Sequence, residues 1–204
     1  GLLLIAYVMG LSIGVHLLNL LTVPAIALLI YYQLSPTGQW KGVLKTLLIG
    51  VGVLGFILWG IIQYTVKMAA YVDLAFVNSF HLPFSSGLAF FVILLIAGLA
   101  YGLVITNQRN KPIWNIALLA TCFVLFGYSS YTFLPVRAQT EIALNNNNPD
   151  DVFSLYGYIT REQYPSEPLL KGPTFNANPI DVNEQSFYRK DPSKYTEISS
   201  SKSY

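Results

Sequence analysis

The front of this chain has very little charge. Residues 1–136 carry six full charges, whereas the remaining 68 residues carry sixteen. The six are Lys41, Lys45, Lys67, Asp73, Arg109 and Lys111. In a chain that is 53% hydrophobic and only 11% charged, such a front part does not suit a soluble globule. The charge distribution therefore predicts a part that lies in a bilayer, followed by a part that lies in water.

Other absences exclude whole classes of function. The net charge of +2 comes from scattered basic residues, so the electrostatic footprint of a nucleic-acid binder is missing and no nucleic-acid partner is expected. The single cysteine, Cys122, can form neither an intrachain disulfide nor a Cys/His metal cluster. Phosphate-binding glycine loops and the HExxH, GxSxG and Rossmann motifs do not occur. We therefore expect neither a metal nor a cofactor.

Long apolar runs fill the front of the chain. They predict helices at about 1–9, 17–32, 43–66, 87–106 and 113–132. A helix that spans a membrane needs roughly 20 apolar residues, and four segments come near that length. The predicted fold class is an all-α polytopic membrane protein, with four to five transmembrane helices within residues 1–134. Gly10 and Gly14 predict a bend between the first two helices.

The last third, residues 135–204, has a different character. Seven prolines and the run NNNNPDD favour turns and short helices only, so we expect an irregular tail. The segment DDVFSLYGYITREQY is the one piece with helical content, and Asp150 or Asp151 can cap it. A polar tail this short buries too little apolar surface to fold alone, so we expect it to pack on the membrane part.

The basic loops predict the orientation in the membrane. The loop with Lys41 and Lys45 and the loop with Arg109 and Lys111 lie on the same side by helix parity. The positive-inside rule makes that side cytoplasmic, which places residues 67–86 and the tail outside the cytoplasm. The expected location is a bacterial inner membrane.

The two ends lack the signals that usually begin and end a chain. The first residues, GLLLIAYVMG, have no initiator methionine, no basic leader region and no small-residue cleavage site, so they do not form a signal peptide. The last residues, SSSKSY, show no helix stop and no packing pattern. We expect both ends to be truncations of a longer protein.

Three polar residues are candidates for binding at the membrane surface. His16 and Asn19 lie three apart and would share one helical face, where they could bind a lipid phosphate or a sugar hydroxyl. The alternative for this pair is a hydrogen bond that packs helices or stabilises the bend. Arg137 follows the last span, and its guanidinium suits a lipid-linked phosphate. The alternative for Arg137 is an interfacial arginine that reaches lipid headgroups.

The tail offers weaker candidates. Asp150 and Asp151 could form a carboxylate pair, although helix capping is the simpler interpretation. The residues Arg161, Glu162 and Tyr164, in ITREQYP, could bind an acceptor molecule or form a salt bridge to the membrane part. A solvated face is the simpler interpretation of these three. His81, in SFHLPFSSG, is interpreted as an interfacial histidine.

Two segments resemble a known family. GLSIGVHLLNLLTVPAIALLIYY, residues 10–32, and NNPDDVFSLYGYITREQYPSEPLLKGPTFN, residues 147–176, resemble a bacterial family of large inner-membrane proteins. That family is grouped with the protein O-mannosyltransferase-like glycosyltransferases of the GT-C class. The resemblance implies an enzyme that transfers a sugar from a polyprenyl phosphate carrier to Ser or Thr of exported proteins. This chain would then be an internal fragment of such an enzyme.

Position and chemistry suggest roles for the candidates within such an enzyme. We expect His16, Asn19 and Arg137 to line the groove for the lipid carrier, and the segment with Arg161, Glu162 and Tyr164 to face the acceptor. Such enzymes usually place a catalytic carboxylate in the first extracytoplasmic loop, and no loop of that kind is present. Because the loop around Asp73 lacks the family pattern, that residue receives no catalytic role, and the catalytic residue stays unknown.

Two other classes of function compete with the enzyme. One is a non-enzymatic membrane scaffold or subunit of an envelope or secretion complex, with the tail as its docking surface. The other is a transporter. The spans lack the inward-facing charges and paired broken helices of a solute pathway, so the transporter is the less favoured of the two.

Overall fold

The structure is a computed structural model that describes residues 1–140, 148–161 and 182–203. It contains eight α-helices and a two-stranded antiparallel sheet in that part of the chain. The helices are α1 (Leu2–Ile13), α2 (Thr22–Leu34), α3 (Trp40–Gly55), α4 (Thr65–Asn78), α5 (Ser86–Gln108), α6 (Pro112–Tyr128), α7 (Phe133–Ala138) and α8 (Val152–Thr160). The strands are β1 (Val182–Lys190) and β2 (Tyr195–Ser203).

The predicted polytopic helical class is confirmed. Four helical stretches are long and apolar enough to cross a membrane, as a multi-pass membrane protein requires. They are Leu17–Leu34, Trp40–Asn78, Ser86–Gln108 and Pro112–Ala138. Many of their large apolar side chains are exposed, and an apolar stretch of 18 residues within α5 has no buried residue. Apolar surface of this extent needs lipid or another helix around it.

The first helix is longer than predicted, since its expected end was at about residue 9. Helix α1 continues through Gly10 to Ile13. The break falls at Gly14–His16, where His16 has extended backbone angles. A 3₁₀ turn, Leu17–Leu21, then leads into α2. Pro24 lies in the first turn of α2, where the missing N–H of proline removes no helical hydrogen bond.

The second stretch is much longer than one bilayer crossing. Helices α3 and α4 are joined by a π-helical segment, Phe56–Tyr64, so that Trp40–Asn78 is a continuous helix of 39 residues. The helix predicted at about 43–66 therefore continues as far as Asn78, and the loop after it is limited to residues 79–85.

The described chain divides into two compact units. The first unit contains residues 1–65 and 92–133. The second contains residues 66–91 and 134–204, so it combines the end of the long helix, the loop after it and the tail. The assignment of residues 1–134 to the membrane and of 135–204 to water remains a prediction.

Close backbone approach at glycine organises the first unit. A Cβ atom built on Gly10 would lie 2.3 Å from the carbonyl oxygen of Val124, and one on Gly127 would lie 2.5 Å from the carbonyl oxygen of Tyr7. Helices α1 and α6 therefore pack with their backbones in contact, as small residues permit in lipid. Helices α2 and α3 meet in the same way, since a Cβ on Gly50 would lie 2.8 Å from the Cα of Pro24.

Polar side chains inside the first unit are paired. The amide of Asn115 donates to the carbonyl oxygen of Leu103 at 3.1 Å and to the hydroxyl of Thr106 at 3.0 Å. The Thr106 hydroxyl donates in turn to the carbonyl oxygen of Gly102 at 2.8 Å. These bonds fix α5 to α6 next to the turn that joins them, where unpaired polar groups would be costly in lipid.

A β-hairpin in the tail was not predicted. Strands β1 and β2 pair in antiparallel register, with Tyr188 opposite Glu197 and Lys190 opposite Tyr195. The seven prolines of the tail predict turns and short helices only. Neither strand contains a proline, however, and Pro192 lies in the turn between them, where proline removes no ladder hydrogen bond.

Candidate functional site

Asp73 is the most specifically bound side chain that the structure describes. It is fully buried, with 0% of its surface exposed. One carboxylate oxygen, Oδ1, accepts from the backbone N–H groups of Gly87 at 2.9 Å and Leu88 at 3.2 Å. The other, Oδ2, accepts from the N–H of Ser85 at 3.2 Å and from the hydroxyl of Tyr195 at 2.8 Å. Four donors therefore surround one carboxylate.

The position of Asp73 follows from helix geometry. The first N–H groups of any helix have no partner within that helix, and its N-terminus carries partial positive charge. The carboxylate on α4 satisfies the N–H groups at the start of α5, as an N-cap residue would, but from a neighbouring helix. Gly87 makes this approach possible, because a Cβ there would lie 2.4 Å from the Cα of Asp73.

The hairpin is attached to the same helix by a second residue. The side-chain amide of Asn78 donates to the carbonyl oxygen of Tyr195 at 2.8 Å and accepts from the N–H of Tyr195 at 2.9 Å. It thus pairs with the Tyr195 backbone as a neighbouring strand would. The Tyr195 ring is 3% exposed and packs edge-on against Phe84 at 5.1 Å between ring centroids. We call Asp73, Asn78, Phe84, Gly87 and Tyr195 the Asp73 cluster.

Burial changes the acidity of Tyr195. Burial raises the pKa of this phenol above its ordinary value of about 10, and the hydrogen bond to Asp73 and its negative charge raise the pKa further. The phenol therefore stays protonated at neutral pH, which it must do in order to donate to the carboxylate. The arrangement fixes the tail hairpin to the start of α5.

This raised pKa predicts a loss of stability at alkaline pH. The folded protein holds the Tyr195 proton more tightly than the unfolded chain does. The associated stabilisation is therefore complete below pH 10 and declines as the pH rises above it. The free energy of unfolding, measured between pH 8 and 11, should fall more steeply for the native protein than for Tyr195→Phe. Equal slopes would contradict this role for the phenol.

A polar groove lies elsewhere in the second unit. It has a volume of about 540 Å³, and both signs of charge line it. Its lining residues are Asn148, Asp150, Asp151, Ser154, Arg189, Lys190, Asp191 and Pro192. Asp151 and Ser154 are engaged in capping α8, and Asp191 accepts a hydrogen bond from Thr196. The groove therefore offers hydrogen-bonding groups to a polar ligand but no dominant charge.

The helix-capping interpretation of the acidic pair is confirmed for Asp151. Its Oδ1 accepts from the N–H groups of Phe153 at 2.7 Å and Ser154 at 3.1 Å, and the Ser154 hydroxyl accepts from the Asp151 N–H at 3.0 Å. This is a complete capping box. Within the described ranges there is no group of three or more His, Cys, Asp or Glu residues that could hold a metal ion.

The two residues predicted to share a helical face lie at the start of the 3₁₀ turn rather than within a regular α-helix. His16 lies outside the helix as the N-cap of the 3₁₀ turn, where its Nδ1 accepts from the N–H of Leu18 at 3.2 Å. Asn19 lies within that turn, and its carbonyl oxygen accepts from the Thr22 hydroxyl at 2.7 Å. The extended backbone at His16 is the reason for the difference. Both side chains are exposed in the first unit, and their role in binding remains a prediction.

The other predicted site residues lie in the second unit or outside the described residues. Arg137 lies exposed in the last turn of α7. Arg161 ends α8 with a left-handed backbone, at φ 59°. His81 is exposed and also left-handed, at φ 56°. Glu162 and Tyr164 lie outside the described residues, so the acceptor surface stays a prediction.

The fold defines a multi-pass helical membrane protein. A family model for the Protein O-mannosyl-transferase TMEM260 N-terminal domain matches residues 1–39, which contain α1, the 3₁₀ turn and α2. The match includes the segment 10–32 and does not extend to the segment 147–176. Comparisons with curated proteins and with solved structures give no match. The similarity to an O-mannosyl-transferase family is thus limited to the first two helices.

Proposed function

We propose that this chain is part of a membrane glycosyltransferase that transfers a sugar, with mannose as the first candidate, from a polyprenyl phosphate carrier to Ser or Thr of exported proteins. The observation that carries the proposal is the match of residues 1–39 to an O-mannosyl-transferase domain. The polytopic helical fold agrees with it, because a lipid-linked donor requires a protein that reaches into the bilayer. The proposed location is a bacterial inner membrane.

Contacts within the second unit support the proposed orientation. Asn78, at the end of α4, is hydrogen-bonded to Tyr195 in the tail. A segment between two spans and a segment after the last span can make such contacts only when they lie on the same side of the membrane. Basic residues concentrate in the loops of the opposite side, which is proposed to be cytoplasmic. The tail is then extracytoplasmic, where exported acceptors occur.

The proposal assigns binding roles rather than a catalytic one. Asp73, the one acid among residues 1–140, is fully buried and accepts four hydrogen bonds, so it is not available to a substrate. We therefore propose that this chain lacks the catalytic carboxylate. His16, Asn19 and Arg137 are proposed to contact the lipid carrier, and Arg161, Glu162 and Tyr164 to form the acceptor side.

The test is a comparison of exported proteins from cells with and without the intact gene. Loss of hexose from Ser and Thr of exported proteins, and its return when the gene is restored, is the expected result. Purified full-length protein should also transfer mannose from a polyprenyl phosphate mannose to a peptide that contains Ser and Thr. The matched peptide with alanine at those positions should accept none.

Unchanged hexose on exported proteins in cells, together with no mannose transfer by the purified protein, would contradict the proposal. A stable protein that co-purifies with the tail would in that case favour the alternative function, a non-enzymatic scaffold of an envelope or secretion complex.

A further inference from the structure

A small cleft in the second unit contains a lysine with an unusual environment. The cleft lies between α4, α8 and β1, and its volume is about 50 Å³. It is lined by Lys67, Tyr71, Phe153, Tyr156, Phe187 and Tyr188, with small residues completing it. A single water needs roughly 10–15 Å³ of cavity space, so the cleft suits a group of a few heavy atoms rather than a whole sugar ring.

Lys67 has no anionic partner in the described part of the chain. Its ammonium lies 6.0 Å from the centroid of the Tyr71 ring, at the outer limit of a cation–π contact. Asp73 on the same helix is fully buried, and its four hydrogen bonds come from other groups. Glu197 pairs with Tyr188 across the hairpin but does not line the cleft.

The walls of the cleft around the ammonium are mainly aromatic. Tyr71, Phe153 and Tyr188 contact one another edge to face or tilted, with ring centroids 5.1 to 6.1 Å apart. A partly buried cation among aromatic rings is stabilised by an anion that supplies the missing hydrogen-bond acceptors. A phosphate is a suitable size for the cleft, and lysine binds phosphate as a point charge.

The position of Lys67 along the helix indicates where that phosphate comes from. Lys45 and Lys67 enclose 21 uncharged residues of one continuous helix, a length of about 30 Å at 1.5 Å per residue. The hydrocarbon core of a bilayer has roughly this thickness. In a bilayer of this thickness, with Lys45 at one surface, Lys67 is expected at the level of the lipid headgroups on the other side.

We propose that the cleft around Lys67 binds a phosphate group carried on a membrane lipid. Its identification with the phosphate of the sugar carrier rests on the proposed function. Lys67 donates to the phosphate oxygens, the aromatic walls exclude water on one side, and the lipid chain extends into the bilayer.

The test is binding of farnesyl phosphate to the full-length protein in nanodiscs of neutral lipid, which requires no transfer activity. Lys67→Met keeps the length of the side chain and should weaken binding about tenfold or more, whereas Lys67→Arg should retain most of it. Lys194→Met removes an exposed lysine of the same unit and should leave binding unchanged. Thermal unfolding of each variant checks that it is folded.

Two further probes separate the sources of the phosphate. Farnesol, which has no phosphate, should bind much more weakly than farnesyl phosphate, and inorganic phosphate should compete poorly. Equal binding of farnesyl phosphate by the native protein and Lys67→Met would overturn the proposal, as would no binding at all. Inorganic phosphate that binds as tightly as farnesyl phosphate would overturn the lipid origin. Binding without sugar transfer would refute the proposed function and leave the phosphate site standing.

Discussion

Replacing Asp73 with alanine is expected to lower the free energy of unfolding by about 3 kcal/mol or more. The substitution leaves four donors without their acceptor, namely the N–H groups of Ser85, Gly87 and Leu88 and the hydroxyl of Tyr195. A buried donor that loses its acceptor costs roughly 1–3 kcal/mol. Gly87 and Tyr195 are themselves buried, so water does not replace the carboxylate there without rearrangement.

Asparagine at the same position should cost less than alanine. Its carbonyl oxygen can still accept from part of the set, but its amide adds two donors among groups that already donate. The thermal unfolding temperature should therefore decrease from the native protein to Asp73→Asn and further to Asp73→Ala. Hydrogen exchange at the amides of Gly87 and Leu88 locates the change, since these amides should exchange faster in both variants.

Asp150→Ala is the matched control for this prediction. This variant removes a carboxylate from the same unit, at a side chain that is only half-buried. The free energy of unfolding should therefore change by no more than about 0.5 kcal/mol. Equal losses for Asp73→Ala and Asp150→Ala, with exchange unchanged at Gly87, would contradict the role given to the Asp73 cluster.

The sequence contained half of the information about this cluster. Asp73 stands out as the one acid in the first 140 residues, and an ionisable residue among apolar ones always requires a partner. The partner, Tyr195, lies 122 positions away in a hairpin that the tail composition did not predict. No local pattern connects the two, because the contact depends on tertiary packing. The available signal was an acid within an otherwise nearly uncharged, apolar segment.

The helices were easier to predict than their ends. Apolar runs of the right length predicted the polytopic class, since every backbone group in lipid must be satisfied within a helix. The ends depend on finer effects. Gly10 does not mark a bend, since helix α1 continues through it. The backbone of α6 lies so close that Gly10 leaves no room for a Cβ. Glycine has opposite meanings in a bend and in a packed interface, and sequence alone does not separate them.

Helices α1 and α6 make the closest backbone approach of the two helix pairs in the first unit. Alanine in place of glycine inside a helix ordinarily adds stability of roughly 1 kcal/mol. At Gly127 we expect the opposite sign, because the added Cβ would lie 2.5 Å from the carbonyl oxygen of Tyr7 and 2.6 Å from the backbone nitrogen of Leu11. Backbone atoms cannot move aside as a side chain can, so α1 and α6 must separate, at a cost of about 1–3 kcal/mol.

Gly98→Ala provides the control for this sign change. Gly98 lies within α5, and a Cβ there has no neighbour within 4 Å, so this variant should unfold at the same temperature as the native protein or higher. Gly127→Ala should unfold at a lower temperature, with faster hydrogen exchange in α1. A gain in stability at both positions would show that α1 and α6 are not in backbone contact. Since α1 lies within the segment similar to the O-mannosyl-transferase domain, a loss at Gly127 would also show that α6 holds this segment in place.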